Sequence, residues 1–337
     1  MVGDSTFEEA LHLSFLTLSS ATIRDFVAVA KASYEDMVRG YVHVFQTDRY
    51  HRWSRSKSIS RRLRDSLYLP PGVKDRVLSD ANHFCTDSSR LWYGDRGIPH
   101  RRGYLFYGSP GSGKTSLAHV MASELGRPVY QLTLSGVGMD DNKFTELMDD
   151  VSPNSIVLLE DVDAAFPTRA SGSTAKPGQP NQPGKKASMV SFSALLNAID
   201  GIGASESRML VMTTNHRERL DEALIRPGRI DVQIEFGNAT QQQSKELFLR
   251  WFEPTVNRHR KALSAEEQST RVLGQEKQLD STDGPVGSQV SRAAQRFAES
   301  VPEGKYSVAA LQGFLLSCHD LGPDATVSEW TKRREEI

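Results

Sequence analysis

One eight-residue segment, residues 108–115, constrains this chain more than any other feature. It reads Gly-Ser-Pro-Gly-Ser-Gly-Lys-Thr and matches the pattern G-x-x-x-x-G-K-[ST] in full. An apolar run precedes it and a helix-forming run follows it, which is the context that the pattern requires. Glycines let the backbone curl so that several N–H groups point at one phosphate, at the positive end of the following helix. The segment therefore predicts a phosphate-binding loop between a strand and a helix.

The residue types of this loop suggest separate roles. We expect Lys114 to reach the β and γ phosphates of a bound nucleotide and the Thr115 hydroxyl to hold Mg²⁺, while the loop backbone holds the phosphates. The expected nucleotide-binding residues are Gly108, Ser109, Pro110, Gly111, Ser112, Gly113, Lys114, Thr115 and Ser116. The alternative is a chance glycine turn before a helix, and the two correct flanks argue against it.

Short apolar runs alternate with helical segments around this loop. The runs that predict strands are residues 104–107, 129–134, 155–159, 209–213 and 232–236. Such alternation predicts an α/β fold, with a parallel sheet that carries helices on both faces. After residue 238 the strands stop, and Thr240 can cap the first helix of a small helical lid.

The expected domain organisation has three parts. Residues 1–75 form a partial α+β domain, with a strand at 11–18, a helix from Ser20 to about residue 38 and a strand at 41–45. Residues 76–238 form the nucleotide-binding core, and residues 239–337 form the helical lid. Two low-complexity stretches, 167–188 in the core and 255–304 in the lid, are predicted to be insertions, the first a mobile basic loop and the second polar and partly helical.

Acidic side chains follow the apolar run 155–159. A buried strand that delivers carboxylates at its carboxyl end is what a metal–nucleotide site in an open α/β sheet needs. We expect Glu160 to lie near Mg²⁺ through a bound water and Asp161 to orient or deprotonate the attacking water. The alternative is an acidic helix cap, and Asp163 alone fits a structural role.

Two further segments supply candidate catalytic groups. Asn215 follows the run 209–213, where its amide can hydrogen-bond the γ-phosphate and the attacking water together. Arg226 and Arg229 flank Pro-Gly on a turn, so both can project outward. If they reach the γ-phosphate of a neighbouring subunit they act as arginine fingers. A surface salt-bridge pair is the alternative.

Composition excludes several other classes of protein. The 41 Lys and Arg against 42 Asp and Glu leave a net charge of −1, so no global field favours nucleic acid or anionic lipid. Two distant cysteines, Cys85 and Cys318, allow neither a disulfide framework nor a four-cysteine zinc site. No apolar run of about 18 residues occurs, and the first twenty residues contain three acids and no Lys or Arg. From sequence alone we expect a soluble chain without a targeting segment.

Together these motifs resemble the AAA ATPases. The acidic strand end, the Asn215 strand and the segment Arg-Pro-Gly-Arg at 226–229 match regions of homology of that family. Within it, the chain is similar to the mitochondrial inner-membrane chaperones that move the folded Rieske iron–sulfur protein during assembly of respiratory complex III. The segments that carry this resemblance are residues 92–99, 101–105, 158–166, 195–201 and 213–216.

The resemblance implies ATP and Mg²⁺ as ligands, a homo-oligomeric ring of six or seven subunits, and a protein cargo for which a Rieske iron–sulfur protein is the candidate. It also implies attachment to the mitochondrial inner membrane on the matrix side through an anchor that this chain does not encode. Here the acid pair is ordered Glu160-Asp161, an inversion that the subfamily shares. Residues 135–141 contain no aromatic side chain to grip an unfolded chain, which favours a cargo moved folded. From the same resemblance we expect Asp95 to Pro99 to contact the adenine.

Two other functions stay open from sequence alone. A nucleotide-binding scaffold without turnover would share the fold but not need Asp161. An AAA protein that acts on nucleic acid, such as a clamp loader, finds its only support in a basic run between residues 49 and 64 with Tyr50 and Trp53 interleaved. That run is otherwise expected to be a solvated loop. A membrane AAA metalloprotease is excluded because the sequence His-Glu-x-x-His does not occur.

Overall fold

The computed structural model of the chain describes residues 20–39, 41–134, 139–165, 190–200, 207–252 and 285–334. It divides into two compact units, Met1–Tyr41 and Val42–Ile337. In the first unit, α1 (Ser20–Arg39) matches the helix predicted from sequence, with Ser20 as its first helical residue. None of the described helices, α1 included, has the length and apolarity that a membrane crossing requires.

The second unit is built on a seven-stranded sheet. Its strands are β1 (Tyr41–Thr47), β2 (Trp53–Ser60), β3 (Arg101–Gly108), β4 (Val129–Thr133), β5 (Ile156–Glu160), β6 (Arg208–Thr214) and β7 (Val232–Phe236). They lie in the order β2-β1-β4-β5-β6-β3-β7. The pairings of β1 with β4, β4 with β5, β5 with β6, β6 with β3 and β3 with β7 are all parallel. The predicted α/β fold with its five core strands is confirmed.

The amino-terminal edge of the sheet differs from the sequence-based expectation. β1 pairs with β4 and β2 lies beside β1, so the sheet runs without interruption across the domain boundary expected at residue 75. The basic run that we expected to be a solvated loop forms β2 over most of its central part. Trp53 explains this difference, since its indole Nε1 donates to the Leu147 carbonyl at 2.7 Å and its ring packs edge-on against Tyr130.

Helices cover both faces of the sheet. α2 (Val73–Phe84) and α4 (Lys114–Leu125) share one hydrophobic core with Tyr104 and Phe106 of β3. On the other face α5 (Asp141–Asp149), α6 (Val162–Ala165) and α7 (Phe192–Asp200) pack with Leu105. Successive residues of β3 are therefore buried on alternate faces. This explains why the run Tyr104-Leu-Phe-Tyr107 within β3 is apolar throughout. α3 (Asp87–Asp95) follows α2 and is mostly exposed.

The lid consists of α8 (Gln241–Phe252), α9 (Pro285–Ser300), α10 (Val308–Ser317) and α11 (Pro323–Arg333). Thr240 caps α8 as predicted, in a reciprocal pair of hydrogen bonds with Gln243. The fully buried Trp330 is the centre of an aromatic core, 5.4 Å from the Phe297 ring and 5.0 Å from the Phe314 ring. α9 lies inside the stretch 255–304 that we expected to be a partly helical polar insertion, and Phe297 on α9 is fully buried in the lid core.

Three sequence-based expectations lie outside the described residues. These are the strand at 11–18, the basic loop at 167–188, and most of the segment after β4 that lacks an aromatic side chain.

Candidate functional site

The loop between β3 and α4 has the backbone that the glycine pattern predicted. Gly108, Gly111 and Gly113 all have positive φ angles, of 119°, 71° and 103°. A Cβ atom on Gly108 would lie 2.3 Å from the Phe236 carbonyl oxygen, so no side chain fits there. These glycines are therefore needed for the curvature of the loop and for its close approach to β7.

Lys114 is buried at the floor of this loop. Its Nζ donates to the carbonyl oxygens of Gly108 and Ser109, both at 2.8 Å, and to Asn215 Oδ1 at 2.7 Å. Burial lowers the pKa of Lys114, while the nearby carboxylates of Asp161 and Asp163 oppose that shift. The Lys114 ammonium therefore lies beside Asn215 at the end of β6, where we expect the γ-phosphate to bind.

A hydroxyl and a carboxylate meet where Mg²⁺ is expected. Thr115 Oγ1 donates to Glu160 Oε1 at 2.8 Å, across the sheet edge. The other carboxylate oxygen accepts from Gln131 Nε2 at 2.5 Å, which fixes the orientation of the Glu160 side chain. Mg²⁺ prefers oxygen ligands and keeps several waters beside one or two protein groups and substrate phosphates, and this donor set fits that preference. Gln131 was not predicted as a site residue, since a glutamine inside a strand carries no motif.

Asp161 lies at the carboxyl end of β5 with its side chain exposed to the cleft. Its φ of 48° is in the left-handed region, and its N–H donates to Thr213 Oγ1 at 3.2 Å. Asn215 Nδ2 donates to the Asp161 carboxylate at 3.5 Å. Partial burial, followed by the charges of Glu160 and Asp163, raises the pKa of Asp161, and Lys114 opposes this. A carboxylate with a raised pKa is a better proton acceptor than an ordinary aspartate.

Asp163 has a different environment. It is buried and accepts a hydrogen bond from Thr214 Oγ1 at 2.6 Å and one from the Asn215 N–H at 3.3 Å. These contacts tie the end of β5 to the end of β6. The structural role suggested for Asp163 accounts for both contacts, and they also fix the backbone of Asn215.

Lys114, Thr115, Glu160, Asp161 and Asn215 line a cleft of about 420 Å³, within the size range of ligand pockets. Two segments far apart in sequence also contribute to its lining, with residues Ser66, Leu67, Tyr68, Val308, Ala309 and Gln312. We call the first set of residues the phosphate end and the second set the nucleoside end. Asp95 to Pro99, expected to contact adenine, do not line this cleft, so the geometry does not support that assignment. No motif marks the residues that do line it, because the lid brings them there.

The lid lies directly on the phosphate loop. The Ala309 N–H donates to the Gly111 carbonyl at 3.1 Å, and Gln243 Nε2 donates to the Tyr68 carbonyl at 3.0 Å. Tyr68 packs in the lid core, while its neighbour Leu67 packs with the sheet. The cleft is therefore closed on one side by contacts between the lid and the core.

The two candidate arginines lie on the expected turn but differ in their surroundings. Arg229 is paired within the chain, since its Nε is 2.5 Å from Asp200 Oδ2 and its Nη1 donates to the Ala223 carbonyl at 2.5 Å. Arg226 is exposed, and its side chain contacts no hydrogen-bond or ion-pair partner among the described residues. Only Arg226 projects outward as the sequence suggested.

Two family profiles match the chain. The profile described as ATPase family associated with various cellular activities (AAA) matches residues 104–238. The profile described as mitochondrial chaperone BCS1-like, ATPase lid domain, matches residues 241–329. The first covers the phosphate loop, the acidic strand end, Asn215 and both arginines. The second covers α8, α9, α10 and the part of α11 up to Glu329.

Curated relatives agree with these profiles. The chain is 45% identical over 193 residues to a probable mitochondrial chaperone bcs1 of Schizosaccharomyces pombe, covering 57% of this chain and 40% of the relative. It is 35% identical over 268 residues to the probable mitochondrial chaperone BCS1-A of Dictyostelium discoideum, covering 79% of this chain and 54% of the relative. It is 41% identical over 192 residues to the human mitochondrial chaperone BCS1, covering 57% and 44%. The chain thus spans about half the length of the curated relatives it matches.

Proposed function

We propose that this chain, which belongs to the AAA ATPases and carries a BCS1-like lid, hydrolyses ATP in a homo-oligomeric ring and uses the resulting motion to move a protein cargo. The observation that carries the proposal is the convergence of Lys114, Thr115, Glu160, Asp161 and Asn215 on one end of a single cleft. Hydrolysis of a phosphoanhydride by water needs a phosphate holder, a cation and an oriented water, and this end of the cleft offers a group for each.

Each group has one proposed task. The loop backbone and Lys114 bind the β and γ phosphates. Asp161 accepts the proton of the attacking water, and Asn215, 3.5 Å from it, holds that water in line with the γ-phosphate. Its amide already bridges Lys114 and Asp161, so one side chain links the phosphate and the base.

Thr115 and Glu160 would hold Mg²⁺, Glu160 through a water. When bound, the cation would neutralise charge that develops on the β and γ phosphates. Gln131 keeps the Glu160 carboxylate directed at Thr115, which preserves the geometry of the pair.

Arg226 and Arg229 are proposed to complete the site of a neighbouring subunit. Arg226 is the group that reaches the neighbour's γ-phosphate, because it is exposed and unpaired among the described residues. Arg229 holds the turn through Asp200 and the Ala223 carbonyl, and so positions Arg226. An arginine that enters in this way raises turnover by about 10³–10⁵-fold in GTPases.

The names of the relatives describe mitochondrial chaperones, which supports a mitochondrial location for this chain. Beyond those names, our proposal is that the chain acts at the matrix side of the inner membrane, in a ring of six or seven copies. The cargo is a folded protein, and a Rieske iron–sulfur protein is the first candidate to test.

The proposal is tested by ATP turnover per protomer across a wide range of protein concentration. Activity that rises steeply with concentration and then saturates is expected, since each site needs a neighbour. Saturation should coincide with ring formation measured by sizing. Absence of turnover in the assembled ring, with ATP bound, would instead support a scaffold.

A further inference from the structure

Arg62 reaches the phosphate loop from outside the AAA core. It lies in the β2–α2 segment (residues 61–72), just after the edge strand β2. Its Nη1 donates to Ser116 Oγ at 2.8 Å, and its backbone N–H donates to Ser123 Oγ at 3.2 Å. Both partners are on α4, the helix that begins at Lys114. Arg62 is therefore held on the helix whose first turn receives the phosphates, and it lines the cleft.

The charge of Arg62 is unmatched within the described part of the chain. No carboxylate there lies within ion-pair distance of it, whereas Arg64 in the same segment pairs with Asp75 and Arg102 pairs with Asp80. The side chain is exposed, and one neutral hydroxyl uses only one of its five N–H donors. A guanidinium in this state at the wall of an anion-binding cleft has donors available for a phosphate.

The position of Arg62 along α4 indicates which phosphate it meets. Lys114 is held by Asn215 at the end of β6, where the γ-phosphate is expected. Arg62 contacts Ser116, two residues further along α4, and its own segment continues to Leu67 and Tyr68, which belong to the nucleoside end of the lining. This order favours the α-phosphate as the group that Arg62 meets.

We propose that Arg62 binds the α-phosphate of the nucleotide directly, as a ligand that the sheet's amino-terminal extension adds to the phosphate loop. This inference rests on the proposed ATP binding of the cleft. The contact also makes β2 and the segment that follows it part of the nucleotide site. When the nucleotide leaves, Arg62 loses its contact with the α-phosphate and keeps only its hydrogen bonds to α4.

The test compares nucleotide affinities of the 337-residue chain with those of Arg62→Ala. ATP, ADP and AMP all carry an α-phosphate, so each should bind about tenfold more weakly, as expected for loss of one charged hydrogen bond. Arg62→Lys should lose less affinity than Arg62→Ala, because lysine keeps the positive charge but lacks the planar guanidinium with its paired N–H donors. Arg61→Ala is the matched control; Arg61 is the adjacent exposed arginine, does not line the cleft, and should leave all three affinities unchanged.

A second variant separates direct binding from support of Ser116. In a Ser116→Ala background the hydrogen bond from Arg62 to Ser116 is already absent. Arg62→Ala should still weaken ADP binding by about tenfold in that background, since the phosphate contact is independent of the hydroxyl. No further loss there would show that Arg62 acts only through Ser116, and would overturn the inference.

Other outcomes would also contradict it. Unchanged affinities in Arg62→Ala exclude any phosphate contact, and a loss confined to ATP, or to ATP and ADP, places the contact on the γ or β phosphate. Failure of the wider proposal looks different: the wild-type chain would then bind no nucleotide, or Lys114→Met would bind it as well as wild type.

Discussion

The two ends of the cleft are built in different ways. At the phosphate end, each functional group directly follows a strand: the loop follows β3, Glu160 ends β5 with Asp161 next to it, and Asn215 follows β6. At the nucleoside end, residues 66–68 meet residues 308–312, which are more than 200 positions away. Neighbouring parallel strands bring their carboxyl ends together, so the sheet alone assembles the first end. The second end forms only when the lid packs against the core.

This difference predicts two kinds of mutational effect. Changes at the phosphate end should alter chemistry or phosphate affinity and leave the fold intact, because the strands that carry these groups are fixed by a buried core. Changes at the nucleoside end should alter stability and the affinity for every nucleotide together, because the contacts there also hold the lid.

Among changes within one chain's own cleft, the largest effect is expected for Asp161→Asn. Loss of the proton acceptor should lower turnover by about 10²–10⁴-fold, while ATP affinity stays close to wild type. Asparagine tolerates the left-handed backbone that Asp161 adopts, so the fold should persist. Single-turnover hydrolysis with parallel measurement of ATP binding checks this. Unchanged turnover would remove Asp161 from the chemistry.

A smaller effect is expected for Lys114→Met. The variant keeps the length of the buried side chain and removes the charge that meets the β and γ phosphates, so ATP affinity should fall by about 100-fold. Added ATP should then raise the melting temperature of wild type and not that of the variant. If added ATP raised the melting temperature of wild type and of Lys114→Met equally, the phosphates would not contact Lys114.

Gly111 lies in the phosphate loop but contacts the nucleoside end through Ala309, and we expect Gly111→Ala to destabilise the chain by about 1–2 kcal/mol, because L-residues are strained at positive φ. The added Cβ would also lie 2.9 Å from the Ala309 Cβ, which displaces the lid and weakens ATP and ADP binding together. Gly313→Ala is the matched control. It lies on α10 with no atom within 4 Å of an added Cβ and should be neutral or stabilising. Equal behaviour of the two variants would contradict the proposed lid contact.

The smallest effect is a pH dependence of stability at Asp161. Its pKa is raised in the folded chain by partial burial and by Glu160 and Asp163. Ionisation of Asp161 is therefore harder in the folded than in the unfolded state, and stability is lost as the pH rises through the folded pKa. Without nucleotide, the free energy of unfolding of Asp161→Asn should equal that of wild type at acid pH. At neutral pH it should exceed the wild-type value by less than about 1 kcal/mol. Thermal melts from pH 4 to pH 7 would show the opposite trend if the pKa were lowered.

The sequence predicted the parts of the molecule that depend on local pattern. The five core strands, the phosphate loop and the cap of α8 were recovered because periodicity and short motifs determine them. β2 was missed because its polar, basic residues suit an exposed edge, while the indole of Trp53 anchors it to Leu147 of α5. Segment 66–68 and the different surroundings of Arg226 and Arg229 depend on tertiary contacts, with the lid and with Asp200, that no local pattern contains.

We propose that a second copy of the chain completes each cleft through Arg226. The decisive experiment mixes inactive Asp161→Asn with inactive Arg226→Ala and allows subunit exchange. In a mixed ring some clefts combine an intact Asp161 with an intact Arg226 from the neighbour, so turnover should recover to about a quarter of the wild-type value in an equal, random mixture. A mixture as inactive as its two components, with exchange demonstrated, would contradict the claim.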